Sequence, residues 1–493
     1  MEFTLQRAGA NLFEPFSFTQ SVNSNPPHTS HCQSIDVTEC VNRVVVSFMS
    51  ASVSFRQSRR RFVSALGLGL SVPAFARVPI VNLPRATSGD SAEEPDWAER
   101  LTISVGNRNA DLMGKNEKVI QAGIDWVARQ GGGTVKVLPG EYRLRNTVHL
   151  ASNVRLLGSG TDSVLLKEPS ISTSMAADSD WYDQEITLTE DQGFRVGDGI
   201  FIETKNPHHG GKDVYKGTLI ARSGNRFRLS KALRKNYWLV GAPKVSTLFP
   251  LLNCEFVEDV VIENITLDGN RAENANMNGN YGGGIFAQDC SRLTFRDVTS
   301  RNYNGDGMSW QICHDVRVEG CHSHDNAGLG LHPGSGSQRP IILNNKLERN
   351  RIGIFFCWGV RNGLAENNKC MGNDYGISIG HRDTDNMIRQ NDIEGSKTVG
   401  LLFRPERGKA YAPHRNIVEG NRLKNNGPEN GAAVDVQGEV ESITLRKNQI
   451  QETRSAAKRI GVRIGAGTKD IRLVENKIEG FSSAVVRAAK KAK

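Results

Sequence analysis

The sequence predicts an all-β fold, a single-stranded right-handed parallel β-helix with an N-terminal capping helix and a β-rich insertion. A column of regularly spaced glycines, a column of regularly spaced asparagines and one amphipathic segment indicate this fold. The first column consists of glycines at steps of 23 residues, Gly284, Gly307, Gly330, Gly353 and Gly376. One coil of this length cannot bury its own apolar face, whereas coils stacked ~4.8 Å apart bury it together.

The residues that follow each glycine alternate between apolar and mixed positions. Two columns are almost entirely apolar, Ile285, Met308, Leu331, Ile354, Ile377 and Leu401, then Ala287, Trp310, Pro333, Phe356, Ile379 and Phe403. The column between them is mixed and holds Phe286, Ser309, His332, Phe355, Ser378 and Leu402. A period of two is typical of a strand, so each coil is expected to present one inward and one outward face.

A column of asparagines supports the same fold in a second register. Its members are Asn345, Asn368, Asn391, Asn421, Asn448 and Asn476. Asparagines stacked at equivalent turns can hydrogen-bond along the axis as an amide ladder. A leucine-rich horseshoe is disfavoured because no helical pattern lies between the strands. A β-propeller is disfavoured because its blades need ~40 residues.

The regions outside the regular repeat complete the predicted domain. Residues 116–127 carry apolar side chains at helical spacing, and three glycines at 131–133 end the pattern. A β-helix exposes unpaired strand edges at its end, so an amphipathic cap is expected there. Residues 181–245 break the coil rhythm with several short strand patterns, and we interpret them as an insertion that walls one side of a groove.

The N-terminal region has the pattern of an export signal. Ser58-Arg59-Arg60-Arg61-Phe62 precedes an apolar stretch and then Ala74-Phe75-Ala76. This order resembles a twin-arginine (Tat) signal peptide, which implies a bacterial protein of the periplasm or the extracellular space. We therefore predict a signal at 49–76, with translation starting at Met49 and 1–48 being a mis-annotated or disordered leader. The β-helix domain is predicted at 77–486, and a basic tail at 487–493.

The charge distribution bears on the partner. The chain carries a formal net charge of +9. The first 76 residues contain six arginines against four acidic residues, and the last seven contain four basic residues, so the body between them is nearly balanced. A nucleic-acid-binding protein would concentrate positive charge on its folded surface, so nucleic acid is disfavoured as a partner. No stretch approaches ~18 apolar residues, so no membrane association is expected after signal removal.

Two segments resemble a known group of proteins. The segment VIQAGIDWVARQGGGTVKVLPGEYRL at 119–144 and ITLDGNR at 265–271 are similar to pectate-lyase-like β-helix proteins, over about residues 100–480. The resemblance implies a carbohydrate-active protein whose partner is a polysaccharide, an acidic one here. Lyases, hydrolases, epimerases and phage tailspikes share this scaffold, so the resemblance leaves the reaction open.

Polar residues on neighbouring coils form the candidate site. Asp306 interrupts a column that is otherwise apolar, and His332 lies in the mixed outward column. A uronate lyase needs a base for the C5 proton and a cation for the carboxylate. The candidate catalytic residues are His332, His381, Asp306 and Arg404. The candidate substrate-binding residues are Arg382, Trp358, Gln311 and Tyr281. His332 or His381 would be the base, Arg404 or Arg382 would pair with the carboxylate, and Trp358 would stack on a sugar ring. The leading prediction is therefore a lyase that cleaves uronate-containing chains by β-elimination.

Three other functions remain open. Asn304-Gly305-Asp306-Gly307 resembles the N-T-D-G signature of polygalacturonases, and Gly380-His381-Arg382 resembles part of their G-H-G signature. Asn326-Ala327 stands where these hydrolases have an adjacent Asp pair, and inverting hydrolysis needs two carboxyl groups. A glycoside hydrolase and a C5-epimerase are the alternative enzymes. A non-catalytic carbohydrate-binding or cell-surface β-helix protein is the alternative of another class.

Metal use, disulfides and oligomeric state are not fixed by the sequence. Ca²⁺ is possible, but the sequence shows no tight carboxylate cluster on consecutive coils. Asp268 with Glu273, and Asp383 with Asp385, are weak candidates, and no metal ligands are assigned. Cys290 and Cys313 lie 23 residues apart at equivalent strand ends. They are expected to stack, either as a disulfide or as free thiols in the core.

Overall fold

The computed structural model describes residues 94–454 and 458–489, and it confirms the predicted fold class. Its first sheet, here the front sheet, is parallel and has eleven strands in the described residues. These strands are Val148–His149, Leu252–Glu255, Gly283–Gln288, Asp306–Gln311, Leu329–Gly334, Ile352–Phe355, Tyr375–Ile379, Val399–Phe403, Ala432–Val436, Ile460–Ile464 and Ser483–Arg487.

The rest of each coil forms a second, 22-stranded parallel sheet within the described residues. Two long strands, Val154–Lys167 and Glu258–Asp268, pair with both of its stacks. The first stack adds Thr102–Gly106, Gly133–Val137, Ser291–Arg296, Arg317–Glu319, Ile341–Leu343, Leu364–Glu366, Met387–Arg389, Ile417–Glu419, Glu441–Arg446 and Lys469–Val474. The second stack adds Gly140–Leu144, Thr299–Arg301, His322–His324, Lys346–Glu348, Lys369–Met371, Asp392–Glu394, Arg422–Lys424, Gln449–Gln451 and Lys477–Glu479. Leu112–Met113 pairs with the first strand, Thr102–Gly106.

The repeated glycines have a specific steric role. Met308 and Trp310 point into the core, while Asp306 reaches the outward-facing His332 on the next coil. The alternation is therefore broken at Gly307, which turns the preceding residue outward. A Cβ on Gly307 would lie 2.1 Å from Ser323 Oγ and 2.8 Å from Asn326 Nδ2, so a side chain cannot be placed there without displacing these two buried residues.

The predicted amide ladder is confirmed. Asn345 Nδ2 donates to Asn368 Oδ1 at 2.9 Å, and the same bond joins Asn368 to Asn391 at 2.9 Å. The ladder continues through Asn421 and Asn448 to Asn476 with the same geometry. Each side-chain amide thereby forms hydrogen bonds with the amides of the neighbouring coils, which fixes the register of the coils.

A helix covers the N-terminal end of the stack, as the sequence predicts. It spans Glu117–Arg129, and the Asn116 side chain caps it by accepting a hydrogen bond from the Lys118 N–H. Ile120, Ile124 and Val127 lie on its buried face and join the main core. Three single 3-10 turns, Trp97–Glu99, Arg271–Glu273 and Lys409–Tyr411, lie in the β-helix, and a fourth, Leu239–Gly241, lies in the insertion.

The insertion is an antiparallel sheet with a core of its own. Its six strands, in spatial order, are Ser172–Ser174, Lys244–Ser246, Gly199–Lys205, Lys212–Ser223, Arg226–Leu229 and Glu185–Thr187. Phe194, Phe227 and Tyr237 are fully buried in its apolar cluster. Lys216 reaches from this sheet to the β-helix, where it pairs with Glu255 at 3.0 Å.

Other sequence predictions have different outcomes. The predicted signal peptide, its start at Met49 and the last tail residues lie outside the described residues. Within them, no helix is long and apolar enough to span a bilayer. Cys290 and Cys313 are buried free thiols, so the thiol alternative holds and not the disulfide.

Candidate functional site

A buried aspartate–histidine pair lies on the outer face of the front sheet. Asp306 and His332 occupy adjacent strands, and Asp306 Oδ2 lies 2.7 Å from His332 Nδ1. Both side chains are about 4% exposed. The predicted outward column is confirmed here, since Ser309 and His332 are paired across neighbouring coils.

Backbone packing fixes the orientation of Asp306. Its Oδ1 accepts a hydrogen bond from the Leu329 N–H at 2.9 Å. A Cβ on Gly279 would lie 1.7 Å from Asp306 Oδ2, and one on Gly328 would lie 2.3 Å from Oδ1. Because Gly279 and Gly328 have no side chain, the Asp306 carboxylate has space to lie against His332.

Asp306 and Ser309 determine which nitrogen of His332 carries the proton, and Gln311 orients Ser309. The Ser309 hydroxyl donates to the Gly279 carbonyl at 2.7 Å and accepts from Gln311 Nε2 at 2.9 Å. Its oxygen lies 3.3 Å from His332 Nδ1, which also faces the Asp306 carboxylate. In the neutral imidazole, two acceptors at Nδ1 assign the proton to that nitrogen and leave the lone pair on Nε2.

Two buried polar atoms of this group have no hydrogen-bond partner among the described residues. They are His332 Nε2 and Gln311 Oε1. A buried polar atom without a partner costs about 1–3 kcal/mol, and a catalytic role or a bound water accounts for such atoms in native proteins. The free Nε2 carries the lone pair that a general base needs.

Arg404 is largely engaged by the protein itself. It is buried, and its terminal nitrogens donate to Ser378 Oγ at 2.9 Å and to the Phe356 carbonyl at 2.8 Å. Asp383 lies 3.4 Å and Glu406 3.5 Å from the guanidinium. Its charge is therefore balanced by two carboxyl groups, which disfavours Arg404 as the group that pairs with a substrate carboxylate.

Asp383 and Glu406 are both buried acids. Burial raises the pKa of Asp383 to about 7, although Arg404 opposes this shift. Asp383 also accepts hydrogen bonds from the backbone N–H groups of Gly359, Val360 and Gly380 at 2.8–2.9 Å. Burial likewise raises the pKa of Glu406. These acids hold the turns and the arginine in place.

An aromatic and cationic surface adjoins this group. We call it the platform and define it as Trp358, His381, Tyr411, Arg382 and Arg407. Trp358 is 38% exposed and stacks on His381 with ring centroids 3.9 Å apart. The guanidinium of Arg407 lies over both Trp358 and Tyr411, and that of Arg382 lies 4.5 Å from the Tyr411 ring.

His381 is a neutral member of the platform. Burial lowers its pKa to about 4, and Arg407, Arg382 and Arg404 add to the shift. Glu406 Oε2 lies 3.4 Å from His381 Nδ1, a contact that involves a neutral imidazole at neutral pH. His381 therefore supports Trp358 by stacking rather than by charge.

Phe355 connects the two groups. Its ring lies 5.3 Å from the His332 ring and 4.3 Å from the Arg404 guanidinium. Of the predicted site residues, Asp306, His332 and Gln311 lie together, and Arg404, His381, Arg382 and Trp358 lie together. Tyr281 belongs to neither group, since it packs against Phe201 of the insertion at 6.1 Å.

The sequence prediction did not name Glu406, Arg407 and Tyr411, placed Phe355 only in the mixed column, and named Asp383 only as a weak metal candidate. Glu406, Arg407 and Tyr411 lie in one enlarged turn after the strand Val399–Phe403. A signal existed, because the asparagine step grows from 23 residues to 30 between Asn391 and Asn421. Extra residues in one coil indicate a loop beside the strand end.

The described residues contain no group of three or more His, Cys, Asp and Glu side chains that could hold a metal ion. The two weak carboxylate candidates are engaged elsewhere, since Asp268 pairs with Arg301 and Asp385 pairs with Arg415.

Two family models match parts of the chain. Residues 259–405 match the model described as a right handed beta helix region. Residues 335–491 match the model described as periplasmic copper-binding protein (NosD). No curated protein matches the chain in sequence.

Solved structures share the fold at low identity. The A-module of mannuronan C-5 epimerase AlgE4 from Azotobacter vinelandii is 16% identical, covers 78% of this chain and 98% of its own, and has a TM-score of 0.50. A hyperthermoactive exopolygalacturonase from Thermotoga maritima is 12% identical, with coverage of 78% and 93% and a TM-score of 0.43. The fold of this chain is thus shared with the A-module of the mannuronan C-5 epimerase.

Proposed function

We propose that this protein is an exported carbohydrate-active enzyme that cleaves an acidic, uronate-containing polysaccharide by β-elimination. The observation that carries the proposal is the Asp306–His332 pair, in which Nδ1 is oriented by a carboxylate and Nε2 lacks a partner among the described residues. This arrangement suits proton abstraction next to a carboxylate.

The reaction then follows from the chemistry of a uronate. His332 Nε2 takes the C5 proton, and the electron pair left on C5 forms a C4=C5 double bond. The C4–O4 bond breaks, and the leaving oxygen takes up a proton. No oxidant, reductant or water is consumed. Asp306 stabilises the imidazolium that forms, because it already accepts the hydrogen bond from Nδ1.

The platform is the binding part of the proposed site. Arg407 has no carboxylate partner within the described residues, and Arg382 reaches only the Ala410 carbonyl and the Tyr411 ring there. Both are exposed and can pair with uronate carboxylates. The exposed ring of Trp358 offers a face on which a sugar can stack.

A C5-epimerase is the second candidate, because it begins with the same proton abstraction. The two reactions differ in what happens next, since an epimerase returns a proton to the opposite face of C5. Glycoside hydrolysis fits the site less well. Asp306 is engaged by His332, and Asp383 accepts three backbone hydrogen bonds beside Arg404.

The experiment uses purified protein and a panel of acidic polysaccharides, including alginate, polygalacturonate and hyaluronan. A lyase produces the ultraviolet absorbance of a C4=C5 double bond conjugated to the carboxylate. An epimerase run in D₂O incorporates deuterium at C5 without that absorbance. New reducing ends without absorbance indicate a hydrolase, and binding without any of these changes contradicts the enzymatic proposal.

A further inference from the structure

The outer face of the front sheet is covered on one side of the Asp306–His332 pair. Residues 274–282, here the covering segment, lie over the strand that carries Asp306. The Gly279 carbonyl accepts a hydrogen bond from the Ser309 hydroxyl at 2.7 Å. A Cβ on Gly279 would overlap the Asp306 carboxylate, so the segment lies directly against the pair.

The covering segment is anchored at several points. The Met277 N–H donates to the Asn304 carbonyl at 2.7 Å, and Asn274 Nδ2 donates to the Asn270 carbonyl at 3.0 Å. Met277 is 3% exposed and forms an apolar cluster with Phe201 and Leu248. Because Phe201 belongs to the insertion, the segment and the insertion form one continuous wall.

The wall extends over the preceding coils. Phe286 is the outward residue one coil before Ser309, and the Lys216 ammonium of the insertion lies 3.9 Å from its ring. Lys216 also pairs with Glu255, which lies one coil earlier still. A sugar chain therefore cannot continue along the sheet in this direction without displacing the insertion.

The coils on the other side of the pair present a different surface. Their outward positions run from Phe355 through Ser378 and Leu402 to Asp435 and Arg463. Leu402 and Arg463 are partly exposed, and the platform with the exposed Trp358 lies at the edge of these coils. Ligand-binding groups follow the pair, whereas a wall precedes it.

We propose that the wall makes the site act on a chain end. The terminal sugar of an anionic polysaccharide lies at the Asp306–His332 pair against the covering segment, and the rest of the chain runs toward the platform. Gln311 Oε1 accepts a hydrogen bond from a hydroxyl of that terminal sugar. This oxygen is buried beside Ser309 and has no partner in the described residues. This proposal rests on the proposed function and adds that cleavage is exolytic.

The test uses oligosaccharides of the polymer identified by the panel, each carrying a bulky fluorophore at either the reducing or the non-reducing end. Binding to His332→Gln protein is measured by fluorescence anisotropy and by competition with unlabelled chains. We expect the label at one end to weaken binding at least tenfold and the label at the other end to be tolerated. Equal affinity for both labelled chains would overturn the proposal.

The product pattern gives the second readout. Wild-type protein is expected to release small products from the first time point while long chains remain long, and an early ladder of intermediate sizes would overturn the proposal. Phe201→Ala loosens the anchor of the covering segment and is expected to produce intermediate sizes. Ile220→Ala removes an exposed apolar side chain of the same insertion and should leave the pattern unchanged.

The two proposals fail in different ways. End-dependent binding without any elimination product would contradict the β-elimination proposal and leave the chain-end proposal intact. Elimination with an internal cleavage pattern would contradict the chain-end proposal and leave the β-elimination proposal intact. Absence of binding to every acidic polysaccharide of the panel would overturn both.

Discussion

The group around His332 and the group around Arg404 contain the same kinds of side chains but use them differently. Asp306 holds one nitrogen of His332 and leaves the other without a partner in the described residues. Asp383 and Glu406 instead surround Arg404, whose terminal nitrogens are already bound. Its Nε has no hydrogen bond within the described residues but lies 3.5 Å from Glu406 Oε1. On this difference we base the proposal that the His332 group carries the chemistry, because its buried Nε2 has no partner within the described residues. The Arg404 group, in which two carboxyl groups face the guanidinium, is proposed to position its neighbours.

The largest expected effect comes from Asp306→Asn, which removes the acceptor that fixes the His332 tautomer. We expect kcat for elimination to fall ~10²–10⁴-fold with little change in KM. Asp315→Asn is the matched control, because Asp315 also pairs with a basic side chain, Arg339 at 2.7 Å, outside the site. Steady-state kinetics give kcat and KM for both variants. Equal losses of kcat in the two variants would contradict the role assigned to Asp306.

The next effect concerns stability against pH through His381. Its pKa is lowered from 6.5 to about 4 in the folded protein, so the unfolded chain binds a proton that the folded chain does not. The contribution of His381 to the free energy of unfolding is therefore fully present above about pH 6.5. It falls by roughly 3 kcal/mol as the pH falls toward 4. His381→Phe keeps a ring against Trp358 and should flatten this slope in urea unfolding measured across that range. An unchanged slope would contradict the pKa shift.

A smaller effect is expected from Gly380→Ala. The added Cβ would lie 2.2 Å from Arg404 Nε, so the guanidinium must leave its place over Phe355. We expect a loss of about 1–3 kcal/mol in the free energy of unfolding. Gly211→Ala is the control, because its added Cβ meets only the exposed His209 side chain, which can move away. Similar losses in the two variants would argue against a tightly packed Arg404.

The smallest effect distinguishes binding from catalysis. Trp358→Ala removes the exposed ring of the platform, and we expect KM to rise roughly tenfold while kcat stays near the wild-type value. Trp126→Ala serves as the control, since Trp126 is an exposed tryptophan on the capping helix. A fall in kcat with unchanged KM would place Trp358 with the chemistry rather than with the platform.

The repeat explains which parts of the molecule could be predicted from the sequence. A step of 23 residues places Ser309 and His332 on adjacent coils regardless of the conformation of the turns, and the two residues are paired in the structure. The break in alternation at Gly307 was not expected, yet it turns Asp306 outward toward His332. Both residues were candidates because their columns could be read directly.

The remaining contacts depend on features outside the repeat. Glu406, Arg407 and Tyr411 lie in an enlarged turn whose path is not set by the coil period. Tyr281 packs against Phe201 of the insertion, so its role in substrate binding stays a prediction. The position of the insertion over the coils could not be read from periodicity. Arg404 contacts Phe356 and Ser378 of the two preceding coils, and Asp383 and Glu406 of adjacent turns. These contacts disfavour the predicted pairing of Arg404 with a substrate carboxylate, and none of them could be read from the repeat.

The most direct test of the account is the rate of C5 proton loss in His332→Gln at saturating polymer. Glutamine retains polar contacts but cannot accept the proton, so we expect the rate to fall ~10³-fold with unchanged equilibrium binding. His314→Gln, an exposed histidine on the preceding coil, should keep the wild-type rate. A His332→Gln protein that forms product at the wild-type rate would contradict the assignment of the base.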